Sequence, residues 1–166
     1  MELEAGPVNL SAQTRRAAEE LRPKAEEKGL DFQVRSRGDA PIWAKADEGG
    51  IQIVLQNLLS NAIKYTEEGG VEVQTYQGNE AAVLAVEDTG IGMESGMAKD
   101  LFEPFRQASQ GWGREYEGTG VGLAVTKRAV EAMNGSVEVE TQKGEGSRFT
   151  VRLPQAEGSA LEDFNS

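Results

Sequence analysis

The chain has 166 residues, with 17 Lys and Arg against 28 Asp and Glu, a net charge of −11, and neither cysteine nor histidine. Such an acidic balance argues against nucleic acid as the main partner, since phosphate contacts need clustered basic side chains. Disulfides, thiolate metal sites and any histidine base, ligand or acceptor within the chain are ruled out by composition.

The length fits one domain with a substantial core. No apolar run approaches the roughly 18–20 residues that span a bilayer, and no signal peptide opens the chain, so a cytoplasmic domain without membrane insertion is expected. Residues 8–28 read as a helix with Leu10, Ala17, Leu21 and Ala25 on one side. Pro23 is expected to bend or break it, because proline removes a donor and clashes with the preceding turn, and Gly29 to end it. Asp31 to Ser36 and Ile42 to Ala46 read as two short strands around an Arg37-Gly38-Asp39 turn.

The strongest element runs from Asp47 to Tyr65. Ile51, Val54, Leu55, Leu58, Leu59, Ala62 and Ile63 recur with the spacing of one buried helix face. Asp47 is placed to cap the first turn. Asn57, Asn61 and Lys64 form a second stripe along one flank. A turn at Glu67–Gly70 leads to alternating Val71, Val73 and Thr75, which form a hairpin with Ala81 to Val86. That second strand runs into Glu87-Asp88-Thr89-Gly90-Ile91-Gly92.

Residues 95–100 suggest a short helix and Leu101–Phe105 an aromatic turn, with a long polar loop over 106–117. Gly118-Thr119-Gly120-Val121-Gly122 opens a helix whose apolar face is Leu123, Val130 and Met133, filled in by Ala124, Ala129 and Ala132 and stopped by Asn134-Gly135. Val137 and Val139, a turn at residues 143–146, and Phe149, Val151 and Leu153 give a closing hairpin. The tail after Pro154 reads as linker or disordered chain. The fold class is α+β, a mixed and mostly antiparallel sheet with helices on one face.

Three places can carry chemistry. Asp88 leaves a strand into a Gly-x-Gly turn, where a carboxylate can accept from an exocyclic amine while glycines admit a ligand to the backbone, although Asp-Thr-Gly also suits an ordinary turn. Gly118, Gly120 and Gly122 at a helix start expose amides and a partial positive charge suited to phosphate, or else form a hinge. They match neither the Rossmann nor the Walker spacing. Asn61 offers a neutral oxygen of the kind Mg²⁺ accepts beside phosphate oxygens, and Lys64 and Arg114 offer positive charge. Tyr65, Phe102 and Phe105 suit core or lid packing.

In this order these residues resemble the catalytic ATP-binding domain of sensor histidine kinases, within the gyrase, Hsp90, histidine kinase and MutL superfamily. Asn57–Tyr65 resembles the N box, Glu87–Met93 the G1 box, Leu101–Phe105 the F box, Glu117–Ala124 the G2 box, and Gly144–Phe149 the final hairpin. The resemblance covers about residues 8–154 and implies a two-layer α/β sandwich of the Bergerat type.

It also implies a role for each matched position. Asp88 would accept from the adenine amino group, with Gly90, Ile91 and Gly92 lining the base pocket and Ser147 assisting through water. Asn61 would ligate Mg²⁺, with Asn57 near the phosphates, Lys64 on phosphate and Tyr65 near the base. Residues 106–117 would form the ATP lid, with Arg114 reaching the γ-phosphate, while Gly118, Thr119, Gly120, Val121, Gly122 and Leu123 wrap the phosphates.

Two departures shape the expectation. Position 57 holds Asn where hydrolytic relatives carry a water-activating Glu, which favours phosphoryl transfer over hydrolysis. The family's phosphoacceptor histidine lies on a separate helical dimerisation domain, absent from this sequence. Residues 1–10 then read as a linker remnant, 11–154 as the catalytic domain and 155–166 as a flexible tail. The expected partners are ATP, that histidine-bearing domain and a response regulator, with membrane anchoring of a parent protein left open. The competing readings are a nucleotide-sensing module without transfer and a Ser/Thr kinase of the anti-sigma type.

Overall fold

The structure, a computed structural model, describes residues 5–38, 41–89, 119–142 and 145–156, with only the backbone of 119–123 and 142. Strand β1 (Gly6–Asn9) leads into helix α1 (Leu10–Glu27), followed by β2 (Asp31–Ser36), β3 (Trp43–Ala46) and helix α2 (Glu48–Tyr65). Then come β4 (Gly70–Gln77), β5 (Ala81–Asp88), helix α3 (Thr119–Ala132), β6 (Ser136–Gln142) and β7 (Gly146–Pro154).

Five strands form one sheet in the order β2-β4-β5-β7-β6, parallel between β2 and β4 and antiparallel elsewhere. Both hairpins read from alternation are present. The strand period of two sends Val71, Val73, Leu84, Val86, Phe149, Val151 and Leu153 to one face, where they join the buried side of the helices in one core. The opposite face carries cross-strand ion pairs such as Arg35–Glu72 and Arg148–Glu87. This is the mixed, mostly antiparallel two-layer arrangement the sequence implies.

Helix α2 begins where its cap residue stands. Asp47 accepts from the Gly50 amide at 2.7 Å, and all seven apolar residues of the expected stripe are buried. Ile53, off that stripe, is half-buried and packs against the core's edge.

Helix α1 departs from expectation in two ways. It runs unbroken through Pro23, which is exposed. The carbonyl that loses its partner to the proline ring belongs to Glu19, an exposed residue open to solvent, while buried Leu21 and Ala25 hold the helix down. The buried face is Leu10, Ser11, Thr14, Ala18, Leu21 and Ala25, with Ala17 only half-buried. Arg22 ties the helix to β2 through the Phe32 carbonyl at 2.9 Å. Its hydrogen bonds to Glu19 hold the guanidinium above its ordinary range.

Gly6–Asn9, read from sequence as linker, pairs antiparallel with β3 in a second, two-stranded sheet. Asn9 then caps α1, its side chain accepting from the Ala12 amide. At the end of α3, Asn134 takes φ 63 and stops the helix as expected. Ala132, expected to fill the core, is exposed.

Candidate functional site

Alternation along β5 decides where its last residue points. Ala82, Leu84 and Val86 face the helices, so Asp88 does too, and it is 8% exposed. A carboxylate with so little water needs hydrogen-bond donors. In the sheet, Asp88 stands opposite Ser147 of β7, which stands opposite Thr141 of β6. The three therefore form one row across the strand ends. Thr141 Oγ1 and Ser147 Oγ are 2.8 Å apart, and Thr141 Oγ1 donates to the Gly146 carbonyl at 3.2 Å. A cleft of about 330 Å³ is lined by these residues together with Glu87, Glu140, Glu145 and Arg148.

The exit from β5 is fixed by Thr89. Its hydroxyl accepts from the Gly70 amide at 3.0 Å and donates to the Glu68 carbonyl at 3.2 Å. The chain thus leaves Asp88 tied to the turn that follows α2.

On α2, Asn57 and Asn61 are half-buried, Lys64 is exposed and Tyr65 is half-buried, all on one flank beside the core face. Asn57 Nδ2 donates to Thr126 Oγ1 of α3 at 3.3 Å, and Thr126 is fully buried. Lys64 Nζ lies 5.4 Å from the Tyr65 ring centre. Asn61 and Lys64 border a groove of about 590 Å³ with Lys24 and Lys28 of the α1 end. Asn57 borders a larger groove, about 810 Å³, between α1 and α2, with Ile53 and Ala17 among its lining residues.

The structure thus joins Asp88 with Ser147, and Asn61 with Lys64, and links Asn57 to α3. The three clefts described above each hold only part of this set of five. Gly90, Ile91, Gly92, the aromatic turn with Phe102 and Phe105, the 106–117 loop with Arg114, and Gly118 lie outside the described residues. So does the helix expected over 95–100. Thr119, Gly120, Val121, Gly122 and Leu123 form the first turns of α3, described as backbone only.

No group of three acidic, histidine or cysteine side chains is placed to hold a metal among the described residues. Asn61 alone supplies one amide oxygen, which suits an ion that arrives already ligated by phosphate and water. Three threonines of this region escaped the sequence reading. Thr126 sits inside an apolar stripe and looks like filler. Thr89 was read only as part of the turn. Thr141 continues the Val137, Val139 alternation, which was the available signal that it shares their face.

Residues 46–157 match the family of histidine kinase-, DNA gyrase B-, and HSP90-like ATPases. The chain belongs to that family. It is 39% identical over 150 residues to the autoinducer 2 sensor kinase/phosphatase LuxQ of Vibrio parahaemolyticus, covering 86% of this chain and 18% of that protein. It is 40% identical over 127 residues to the circadian input-output histidine kinase CikA of Synechococcus elongatus, covering 76% of this chain and 16% of that protein. The chain therefore spans about a fifth or less of the length of these relatives.

Among solved structures it is similar to full-length ShkA in complex with AMPPNP, with a TM-score of 0.80 and 34% identity over 95% of this chain and 32% of that one. The nucleotide-free catalytic domain of histidine kinase ThkA, at 22% identity and a TM-score of 0.80, covers 93% of this chain and all of that one and shows the same fold. No described helix is long and apolar enough to cross a membrane.

Proposed function

We propose that this chain is the ATP-binding catalytic part of a two-component sensor histidine kinase. The observation that carries the reading is buried Asp88 at the end of β5, which lines a cleft beside Ser147. A buried carboxylate accepts hydrogen bonds, and the exocyclic amine of adenine is a donor that suits it. Membership of the ATPase family and the likeness to sensor kinases support the same nucleotide.

In this reading Gly90, Ile91 and Gly92 line the base pocket, with Tyr65 near the base and Ser147 reaching it through water. The phosphates extend toward the α2 flank. Asn61 would hold the nucleotide's Mg²⁺, which would supply charge to neutralise phosphate oxygens. Lys64 and Arg114 contact phosphate, and the backbone of Gly118, Thr119, Gly120, Val121, Gly122 and Leu123 wraps it at the α3 start. The chain contributes position and charge neutralisation rather than a covalent step.

With no histidine among its 166 residues, the chain presents the γ-phosphoryl group to another domain. There a histidine ring nitrogen forms the new P–N bond as the bond to the β,γ-bridging oxygen breaks and ADP leaves. Asn57, an amide held by Thr126, is no general base, which disfavours attack by water. A response regulator is then the downstream acceptor, and the domain works on the cytoplasmic side.

The test is a calorimetric titration of Mg·AMP-PNP into the wild type and Asp88→Asn. Asp88→Asn should weaken binding by roughly 1–3 kcal/mol, the scale for a buried hydrogen bond to a charged group. No binding to the wild type sinks the nucleotide site. Labelled ATP with a histidine-bearing helical domain, or with a serine-bearing antagonist protein, then separates transfer to histidine from the anti-sigma type. Binding without transfer to either leaves a nucleotide-sensing module.

A further inference from the structure

The last carbonyls of a helix have no partners within it. On α2, three of them are taken by side chains. Thr66 Oγ1, fully buried, donates to the Ala62 carbonyl at 2.7 Å. Lys28 Nζ donates to the Ile63 carbonyl at 2.8 Å and to the Lys64 carbonyl at 3.0 Å.

Lys28 belongs to a different element. It is the C-terminal cap of α1, its own amide donating to the Ala25 carbonyl, and Gly29 beyond it turns the chain away at φ 72. The side chain therefore runs from the end of α1 to the end of α2, where its ammonium meets the partial negative charge of the last carbonyls. Its third partner is Glu67 at 3.5 Å, whose side chain is 78% exposed and adds little. Three N–H donors meet three acceptors, so the ammonium is engaged with the fold and is not set toward phosphate.

The turn it grips carries Asn61, Lys64 and Tyr65. A helix end frays without caps, and phosphoryl chemistry is sensitive to small misplacements of the groups around it. We propose that Lys28 is a positioning residue. By clamping the Ile63 and Lys64 carbonyls it fixes the end of α2 and so holds Asn61 and Lys64 toward the phosphates, without touching the nucleotide. The inference rests on the nucleotide reading above.

The test compares Lys28→Met, which keeps the aliphatic stem, with Lys28→Arg, which keeps the charge and donors. Affinities for Mg·AMP-PNP and for adenosine, and the melting temperature, are measured for each. Lys28→Met should weaken Mg·AMP-PNP about threefold to tenfold, which lies within the span for a partly buried charge at a helix terminus, and change adenosine less than about twofold. Lys28→Arg should restore Mg·AMP-PNP to within about twofold of wild type. If Lys28→Met does not fold, Thr66→Val, which removes the Ala62 carbonyl's partner, should show the same selective loss. A lower melting temperature with both affinities unchanged reduces Lys28 to a plain cap and overturns the proposal. So does an equal loss for the two ligands. A wild type that binds neither ligand overturns the nucleotide reading itself, and the clamp's role with it.

Discussion

Asn57 and Thr126 meet at the seam between α2 and α3. The contact is 3.3 Å, at the long end for a hydrogen bond, and Thr126 is fully shielded from water. Shielding decides its worth, because water cannot readily replace a hydrogen bond made to the buried Thr126 hydroxyl. Thr126→Val keeps the shape and branching of the side chain and removes only the hydroxyl. It should cost roughly 0.5–1.5 kcal/mol in urea unfolding. An unchanged midpoint would mean that Asn57 finds another partner and that Thr126 is filler. The sequence could not decide this, since a threonine inside an apolar helix face looks the same whether or not its hydroxyl is used. The place of Asp88 at the end of an apolar strand was legible, whereas the sequence left a ligand-binding carboxylate and an ordinary Asp-Thr-Gly turn both open, and its burial comes from the fold.

At the scale of elements, the β6–β7 hairpin carries a constraint that reaches the site. Gly146 has φ 118, a backbone conformation that L residues avoid, and a Cβ there would run into the Asp88 carbonyl oxygen. Gly146→Ala should therefore destabilise the fold by about 2–4 kcal/mol, since strain and a backbone clash act together. It should also weaken Mg·AMP-PNP, because β7 can relieve the clash only by moving against Asp88. Urea unfolding and calorimetry together check it. Full stability with normal binding would show that the strand ends are looser than the packing implies.

The same scale shows what pattern could and could not give. Helix α2 and both hairpins follow from local periodicity, which the finished fold uses unchanged. Strand β1 was missed because four residues with one buried side chain, Val8, carry no periodicity, and their pairing with β3 lies far away in sequence. The break that Pro23 allowed does not occur, for a related reason. The rule against proline in a helix holds for the local hydrogen bond, while tertiary burial of Leu21 and Ala25 decides the outcome. Lys28 shows the same limit, since its partners lie 35 and 36 residues away.

For the molecule as a whole, the excess of acidic residues sets two salt effects against each other. The net charge of −11 opposes compaction through mutual repulsion. Surface pairs such as Arg16–Glu20 and Arg152–Glu138 favour the fold, but exposed pairs are worth at most about 1 kcal/mol each. Range decides which effect salt removes first. A compact chain of this length has a radius of gyration of about 15 Å. The Debye length is about 30 Å at 0.01 M salt and about 8 Å at 0.15 M. At the lower salt every charge feels every other, whereas at the higher only neighbours interact. Pairs in contact at 3–4 Å lie inside both lengths and lose the smaller share. Repulsion is therefore screened more than attraction, and the protein should become more stable as NaCl rises from 0.01 to 0.15 M. A gain of about 1 kcal/mol corresponds to a melting temperature higher by about 2–4 °C for a chain of this size. Calorimetric melting without magnesium or nucleotide isolates the effect. A melting temperature that falls over this range would mean that the ion pairs outweigh the global repulsion, and that the acidic surface is arranged to support the fold.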